Sequence, residues 1–104
     1  MYKSTRGNKL YSSSEAILKG LADDGGLFLP INISNINFND DWLNYSYKDI
    51  SKIILKNFFD DFTDEEINYV VNKAYSKDNF INKIYDVKTF DNHAYLELYH
   101  IFYW

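Results

Sequence analysis

The chain has 104 residues, 46% of them apolar and 19% aromatic, with a formal net charge of −4 and no cysteine. That length allows one domain with a thin core, and the missing cysteines exclude disulfides and thiolate metal centres. Acids and bases are interspersed, so no basic stripe can neutralise phosphates, which argues against nucleic-acid binding, and no run approaches the roughly 18 apolar residues of a membrane helix. The disulfide-free composition and a start without an apolar leader run predict a cytoplasmic protein. Ten tyrosines and eight phenylalanines supply most of the burial potential. Tyrosine keeps a polar tip that tolerates a wet edge, so this excess suits a domain that packs on something else.

Tyr2-Lys3-Ser4-Thr5 reads as an opening strand. A first helix begins near Ser12, because Glu15 stands at the return position of a capping box: hydroxyl to backbone N–H, carboxylate back to the cap N–H. Ala16, Ile17, Leu18 and Leu21 follow. Asp24-Gly25-Gly26 is expected to stop this helix, since glycine takes the left-handed conformation without penalty. Gly26-Leu27-Phe28-Leu29-Pro30 then reads as a short strand closed by Pro30, and residues 31–45, rich in Asn and Asp, as a surface loop.

The second helix starts at Ser46, with Asp49 in the capping-box position. Its apolar face is Tyr47, Ile50, Ile53, Ile54 and Phe58. Thr63-Asp64-Glu65-Glu66 starts the third, with its acids where the helix dipole favours them. Ile67, Val70, Val71, Ala74 and Tyr75 form its apolar stripe. The link Asp60-Asp61-Phe62 is short, so these two helices are expected to pack as a hairpin. Ile84 to Lys88 and His93 to Leu98 flank the turn Phe90-Asp91-Asn92 as a β-hairpin. The expected class is α+β: a single small helix-rich domain over residues 1–104, of about three helices with a small sheet of short strands.

Little chemistry converges along this pattern. There is no phosphate-binding glycine loop. His93 and His100 fall on a predicted strand at odd spacing, hence on opposite faces, and are not expected to share a metal. Asp60-Asp61 and Asp64-Glu65-Glu66 resemble cation sites in composition only; the first pair is expected to solvate a turn and the second to cap a helix. Ser12-Ser13-Ser14 reads as a cap, because no base stands near to activate a nucleophile. Asp24-Gly25-Gly26-Leu27 is the most constrained backbone feature, read as a helix-to-strand turn. Arg6, inside Ser4-Thr5-Arg6-Gly7, is the basic residue in the most functional setting. It could meet a phosphate or carboxylate, and the plainer reading is a salt-bridged surface arginine.

Three strings stand in a specific order and spacing: Ser4-Thr5-Arg6-Gly7; Ser14-Glu15-Ala16-Ile17-Leu18-Lys19-Gly20-Leu21-Ala22; and Asp24-Gly25-Gly26-Leu27-Phe28-Leu29-Pro30. Together they resemble the amino-terminal region of bacterial threonine synthase. Asn72-Lys73-Ala74-Tyr75-Ser76 and Tyr95-Leu96-Glu97-Leu98-Tyr99-His100 extend the resemblance along nearly the whole chain. It implies the amino-terminal domain of a pyridoxal-phosphate enzyme of fold type II, the tryptophan-synthase-β-like fold. Such an enzyme converts O-phosphohomoserine and water to threonine and phosphate, its lysine holding the cofactor as an electron sink.

In that family the strand through the histidine continues as Gly-Pro-Thr toward the Schiff-base lysine. Here His100 is followed by Ile101-Phe102-Tyr103-Trp104. The resemblance therefore places no catalytic, cofactor-binding or metal-binding residue in this chain. It leaves His100 and Arg6 as candidates for the edge of an active site. The chain is expected to be the truncated front of an enzyme, inactive alone and binding no cofactor itself, with pyridoxal phosphate in the parent enzyme. Its expected partners are the catalytic domains of that enzyme, with self-association through the aromatic surface as a further expectation. Two alternatives stand beside this: a stand-alone non-catalytic interaction module, and a fragment of a threonine-synthase-like phospholyase.

Overall fold

A hydroxyl residue heads each of the three α-helices among the described residues. The computed structural model describes residues 1–80 and 83–98. Its helices are α1 (Ser13–Lys19), α2 (Tyr47–Phe58) and α3 (Asp64–Ala74). The strands are β1 (Tyr2–Ser4), β2 (Leu10–Tyr11), β3 (Phe28–Pro30), β4 (Asp86–Phe90) and β5 (His93–Glu97). The class is α+β, as the sequence predicts. Two compact units divide it, Met1–Tyr69 and Val70–Trp104.

All three capping boxes form. Ser12 Oγ accepts the Glu15 N–H at 3.2 Å while the Ser12 N–H donates to Glu15 Oε2 at 2.8 Å. Ser46 and Asp49 exchange the same two bonds, at 3.2 and 3.1 Å. Thr63 and Glu66 do so at 3.2 and 2.8 Å. Each box satisfies amide groups that the first helical turn cannot pair internally.

The expected end of α1 needs correction. The helix stops at Gly20, before Asp24-Gly25-Gly26 is reached. Gly20 adopts φ 69°, ψ −58°, and the Leu21 N–H donates to Lys19 O at 2.8 Å across a γ-turn. The chain then folds back, with the Ala22 N–H on Gly26 O at 3.0 Å and the Gly25 N–H on Ala22 O at 2.9 Å. Those bonds replace the helical ones that Leu21 and Ala22 would otherwise make.

In the first unit β1 is the central strand of an antiparallel sheet ordered β2-β1-β3. Tyr2 faces Tyr11 and Pro30, Lys3 faces Leu10 and Leu29, and Ser4 faces Phe28. Side chains alternate across the sheet, so Tyr2, Ser4, Tyr11 and Phe28 share one face and Lys3, Leu10 and Leu29 the other. The first face is closed by an edge-on contact of the Tyr11 and Phe28 rings, 4.9 Å between centroids. Tyr11, Ala16, Ala22 and Ile67 are the buried apolar residues of this unit, and Leu10 and Leu29 on the second face are exposed. The Tyr2 hydroxyl donates to Phe58 O at 2.8 Å, fastening β1 to the end of α2.

Residues 31–45 contain more than the expected loop. Asp40–Asn44 form a 3-10 helix whose cap, Asn39, accepts the Asp41 N–H on Oδ1 at 3.1 Å. Phe38 packs on Trp42 beside it, ring centroids 5.1 Å apart. Near their junction α2 and α3 are joined by the ion pair Lys56–Asp64 at 2.6 Å.

In the second unit Val71 is fully buried. The Asn79 side-chain amide closes the end of α3, donating to Lys73 O at 2.8 Å and Ala74 O at 3.0 Å. The expected hairpin forms with a tighter turn than the sequence suggests. Phe90 joins β4, opposite His93, and only Asp91 and Asn92 lie in the loop, at φ 45° and 61°. Two positive φ values in a row make a type I′ turn, whose twist matches that of the paired strands.

Candidate functional site

Two strings far apart in sequence meet at the end of β1. Ser4 is the last residue of β1 and is 4% exposed. The ladder continues one step beyond the strand: the Thr5 N–H donates to Leu27 O at 2.9 Å, and the Leu27 N–H donates to Thr5 Oγ1 at 3.0 Å. Ser4-Thr5-Arg6-Gly7 is thereby laid along Asp24-Gly25-Gly26-Leu27.

Asp24 ties the two strings together. Its Oδ1 accepts the Ser4 hydroxyl at 2.6 Å and the Gly26 N–H at 2.9 Å. The Ser4 hydroxyl oxygen in turn accepts the Arg6 N–H at 3.1 Å. Donation by Ser4, and after it by the Gly26 N–H, holds the Asp24 carboxyl below the usual carboxylate range. A Cβ on residue 26 would fall 2.1 Å from Ser4 Oγ, 2.9 Å from Thr5 Oγ1 and 3.0 Å from Asp24 Oδ1. Only glycine lets the strings approach this closely. The turn reading of Asp24-Gly25-Gly26 therefore holds, and the turn also frames the Ser4-Arg6 segment.

Arg6 is exposed on that frame. Its Nη1 reaches Asp24 O at 3.5 Å, a long contact, and among the described residues no carboxylate oxygen lies within ion-pair distance of its guanidinium. The expectation of a salt-bridged arginine is corrected. The Ser4 hydroxyl is committed to Asp24 and Thr5 Oγ1 accepts the Leu27 N–H, so the arginine is the cationic donor that this string presents. An open recess of about 430 Å³ lies beside it, lined by Lys3, Ser4, Thr5, Arg6, Gly7, Asn8 and Leu29. His100, the other candidate for an active-site edge, lies outside the described residues. His93 sits at the hairpin turn, its Nδ1 2.8 Å from Asp91 O.

A second cluster departs from its sequence expectation. Asp60 and Asp61 do more than solvate a turn: they reach back to the start of α1. Asp60 Oδ1 accepts the Ser13 N–H at 3.1 Å and the Ser13 hydroxyl at 2.8 Å. Asp61 accepts the Ser14 N–H at 3.2 Å and the hydroxyls of both Ser13 and Ser14. The Met1 ammonium pairs with Asp60. Those donors, the Met1 ammonium first for Asp60 and the Ser13 hydroxyl first for Asp61, hold both carboxyls below their ordinary values. The serine run is a cap, as expected from Ser12, and it is also the acceptor-seeking half of a tertiary clasp. No adjacent amino acid in the sequence signals that pairing.

Among the described residues no three metal-ligating side chains converge, and no helix is long and apolar enough to cross a membrane.

A family model described as the threonine synthase N terminus matches residues 1–75. The chain is similar to the threonine synthase of Saccharomyces cerevisiae, 34% identical over 84 residues, which is 73% of this chain and 16% of that protein. The threonine synthase of Methylobacillus glycogenes is 38% identical over 82 residues, 74% of this chain and 17% of that protein. That of Schizosaccharomyces pombe is 34% identical over 80 residues, 72% of this chain and 16% of that protein. The chain thus spans about a sixth of the length of the curated relatives it matches.

Proposed function

The chain belongs to the threonine synthase N-terminal family, and from that membership we propose that it is the amino-terminal, non-catalytic part of a cytoplasmic threonine synthase. That enzyme converts O-phosphohomoserine and water to threonine and phosphate. The observation that carries the reading is the match over residues 1–75, whose Ser4-Thr5-Arg6-Gly7 and Asp24-Gly25-Gly26 strings are the ones bonded together around Asp24. The partner is the catalytic portion of the same enzyme. In support, α1 and the residues after it present Ile17, Leu18 and Leu21 to solvent, Leu18 at 87% exposure. An apolar group of this kind suits a surface that packs on something else.

Pyridoxal phosphate is the cofactor that the family implies, and it supplies an electron sink when bound. The described residues do not fit it. At the one glycine-paired turn the Gly25 and Gly26 amides already serve Ala22 O and Asp24 Oδ1. Lys19, Lys56, Lys83 and Lys88 are taken up in ion pairs with Asp23, Asp64, Asp86 and Glu97. A Schiff-base lysine must instead reach a neutral state.

Two measurements test the reading. The isolated chain, supplied with pyridoxal phosphate and O-phosphohomoserine, should release no phosphate above background; release would overturn the non-catalytic assignment. A hybrid in which this chain replaces the aligned segment of the S. cerevisiae enzyme should restore growth of a threonine auxotroph. A hybrid that accumulates in soluble form but fails to do so counts against the family role.

The exposed aromatic side chains Phe38, Tyr69, Phe90 and Tyr95 favour a second reading, a stand-alone interaction module that binds itself. That reading requires a dimer that grows with concentration. A constant monomer mass by light scattering rejects it.

A further inference from the structure

We propose that the recess beside Arg6 is a binding site for a phosphate-type oxyanion, with Arg6 and Lys3 as its cations. Three observations carry this. The recess is large enough, about 430 Å³, to admit phosphate or a small phosphate monoester. It is lined by two cationic residues, Lys3 and Arg6, and by Asn8. In a chain of net charge −4, neither cation has a carboxylate oxygen within ion-pair distance among the described residues.

The backbone around Arg6 is held in place. The Arg6 N–H bonds to Ser4 Oγ, which is fixed in turn by Asp24. Its Nη1 lies 3.1 Å from the point where a Cβ on Gly25 would stand, so the turn leaves room for the guanidinium because residue 25 has no side chain. A guanidinium on a fixed backbone loses less freedom on binding than a free side chain does. Lys3 stands on the sheet face opposite Ser4, in register with Leu29, whose side chain also lines the recess. The site is therefore a mostly polar recess bordered by a fork-shaped donor and a point charge.

That donor set favours phosphate over carboxylate. A carboxylate monoanion uses its two oxygens on one guanidinium. A phosphate dianion has a further oxygen and a further charge for Lys3. Asp24 adjoins the recess: its Oδ1 is occupied by Ser4 and Gly26, while its Oδ2 lies 2.7 Å from the point where a Cβ on Gly7 would stand, and its charge sets an upper limit on affinity through repulsion.

The test is a titration of the full chain with inorganic phosphate, read by amide NMR shifts. Saturable shifts clustered at residues 3–8, half-complete at about 1 mM or below, are expected. Arg6→Gln should weaken them by about tenfold or more, and Lys3→Gln by a smaller factor. Lys9→Gln should leave them unchanged, since Lys9 stacks over the Tyr11 ring, 5.0 Å from its centroid, and does not line the recess. If Arg6→Gln loses its dispersed spectrum, Lys3→Gln decides. Shifts that rise linearly without saturating, that persist in both variants, or that acetate produces equally well overturn the proposal. The outcome is independent of the hybrid-enzyme experiment, so either can fail while the other stands.

Discussion

A methyl group at residue 20 would meet nothing within 4 Å, whereas at residue 26 it would fall 2.1 Å from the Ser4 hydroxyl oxygen. Gly20 is therefore required by its positive φ alone, and Gly26 by close packing. Gly20→Ala should cost about 1 kcal/mol, the usual penalty for a side chain in that conformation. Gly26→Ala should cost about 2–3 kcal/mol, since it forces the Ser4–Asp24 bond apart. Urea denaturation of the two variants checks the difference; equal costs would contradict the packing account. Asp61 makes a second residue-level prediction. Its carboxyl is held well below the usual carboxylate range by the Ser13 and Ser14 hydroxyls. The stabilisation it contributes is present above that range and is lost as the pH falls through it toward the depressed folded value. The urea midpoint should fall as the pH is lowered from about 5 to about 2, and Asp61→Asn should flatten that fall. An unchanged pH slope in Asp61→Asn would remove the clasp from the account of acid sensitivity.

At the scale of elements, the helices owe their starts to local chemistry. None of the twelve residues of α2 is fully buried, so its capping box carries a large share of what holds it. Ser46→Ala removes both the acceptor for the Asp49 N–H and the partner of the Asp49 carboxylate. It should cost about 1 kcal/mol, read as a lowered thermal midpoint. A variant melting with the wild type would mean that α2 is held by its side-chain contacts alone. The capping boxes were legible because donor and acceptor are three residues apart. The end of α1 was not, because several glycines followed, and only the bond from Ala22 to Gly26 decides that the helix stops at the first. Strand β2, two residues long, is below the length at which alternation can be read. The 3-10 helix at Asp40–Asn44 lies in a polar stretch with no apolar period.

At the scale of the whole molecule, the two units differ in what supports their strands. In the first, β1 is bonded on both edges, by β2 and β3, and one sheet face holds the Tyr11–Phe28 contact. In the second, β4 and β5 pair only with each other among the described residues, and the opposed Val87 and Leu96 are both more than half exposed. A lone two-stranded ribbon is marginal in water. Hydrogen exchange in the isolated chain should therefore be faster in β4–β5 than in β1 by about tenfold or more. Equal protection would mean that the ribbon is supported beyond its own pairing. The catalytic portion proposed as partner should slow that exchange if it packs on the ribbon.

The sequence by itself determined the α+β class, the three helix starts, the presence of the β4–β5 hairpin and, through three ordered strings, the family. These rest on interactions between residues at most a few positions apart, or on direct similarity of strings. Only the tertiary structure decided that Ser4-Thr5-Arg6-Gly7 lies against Asp24-Gly25-Gly26, that Asp60 and Asp61 clasp Ser13 and Ser14, and that Arg6 and Lys3 border one recess. The first two of those pairings join short polar side chains across a chain reversal or a long loop. Serine, aspartate and glycine carry no hydrophobic period, so nothing in their local pattern names the distant partner that they bind.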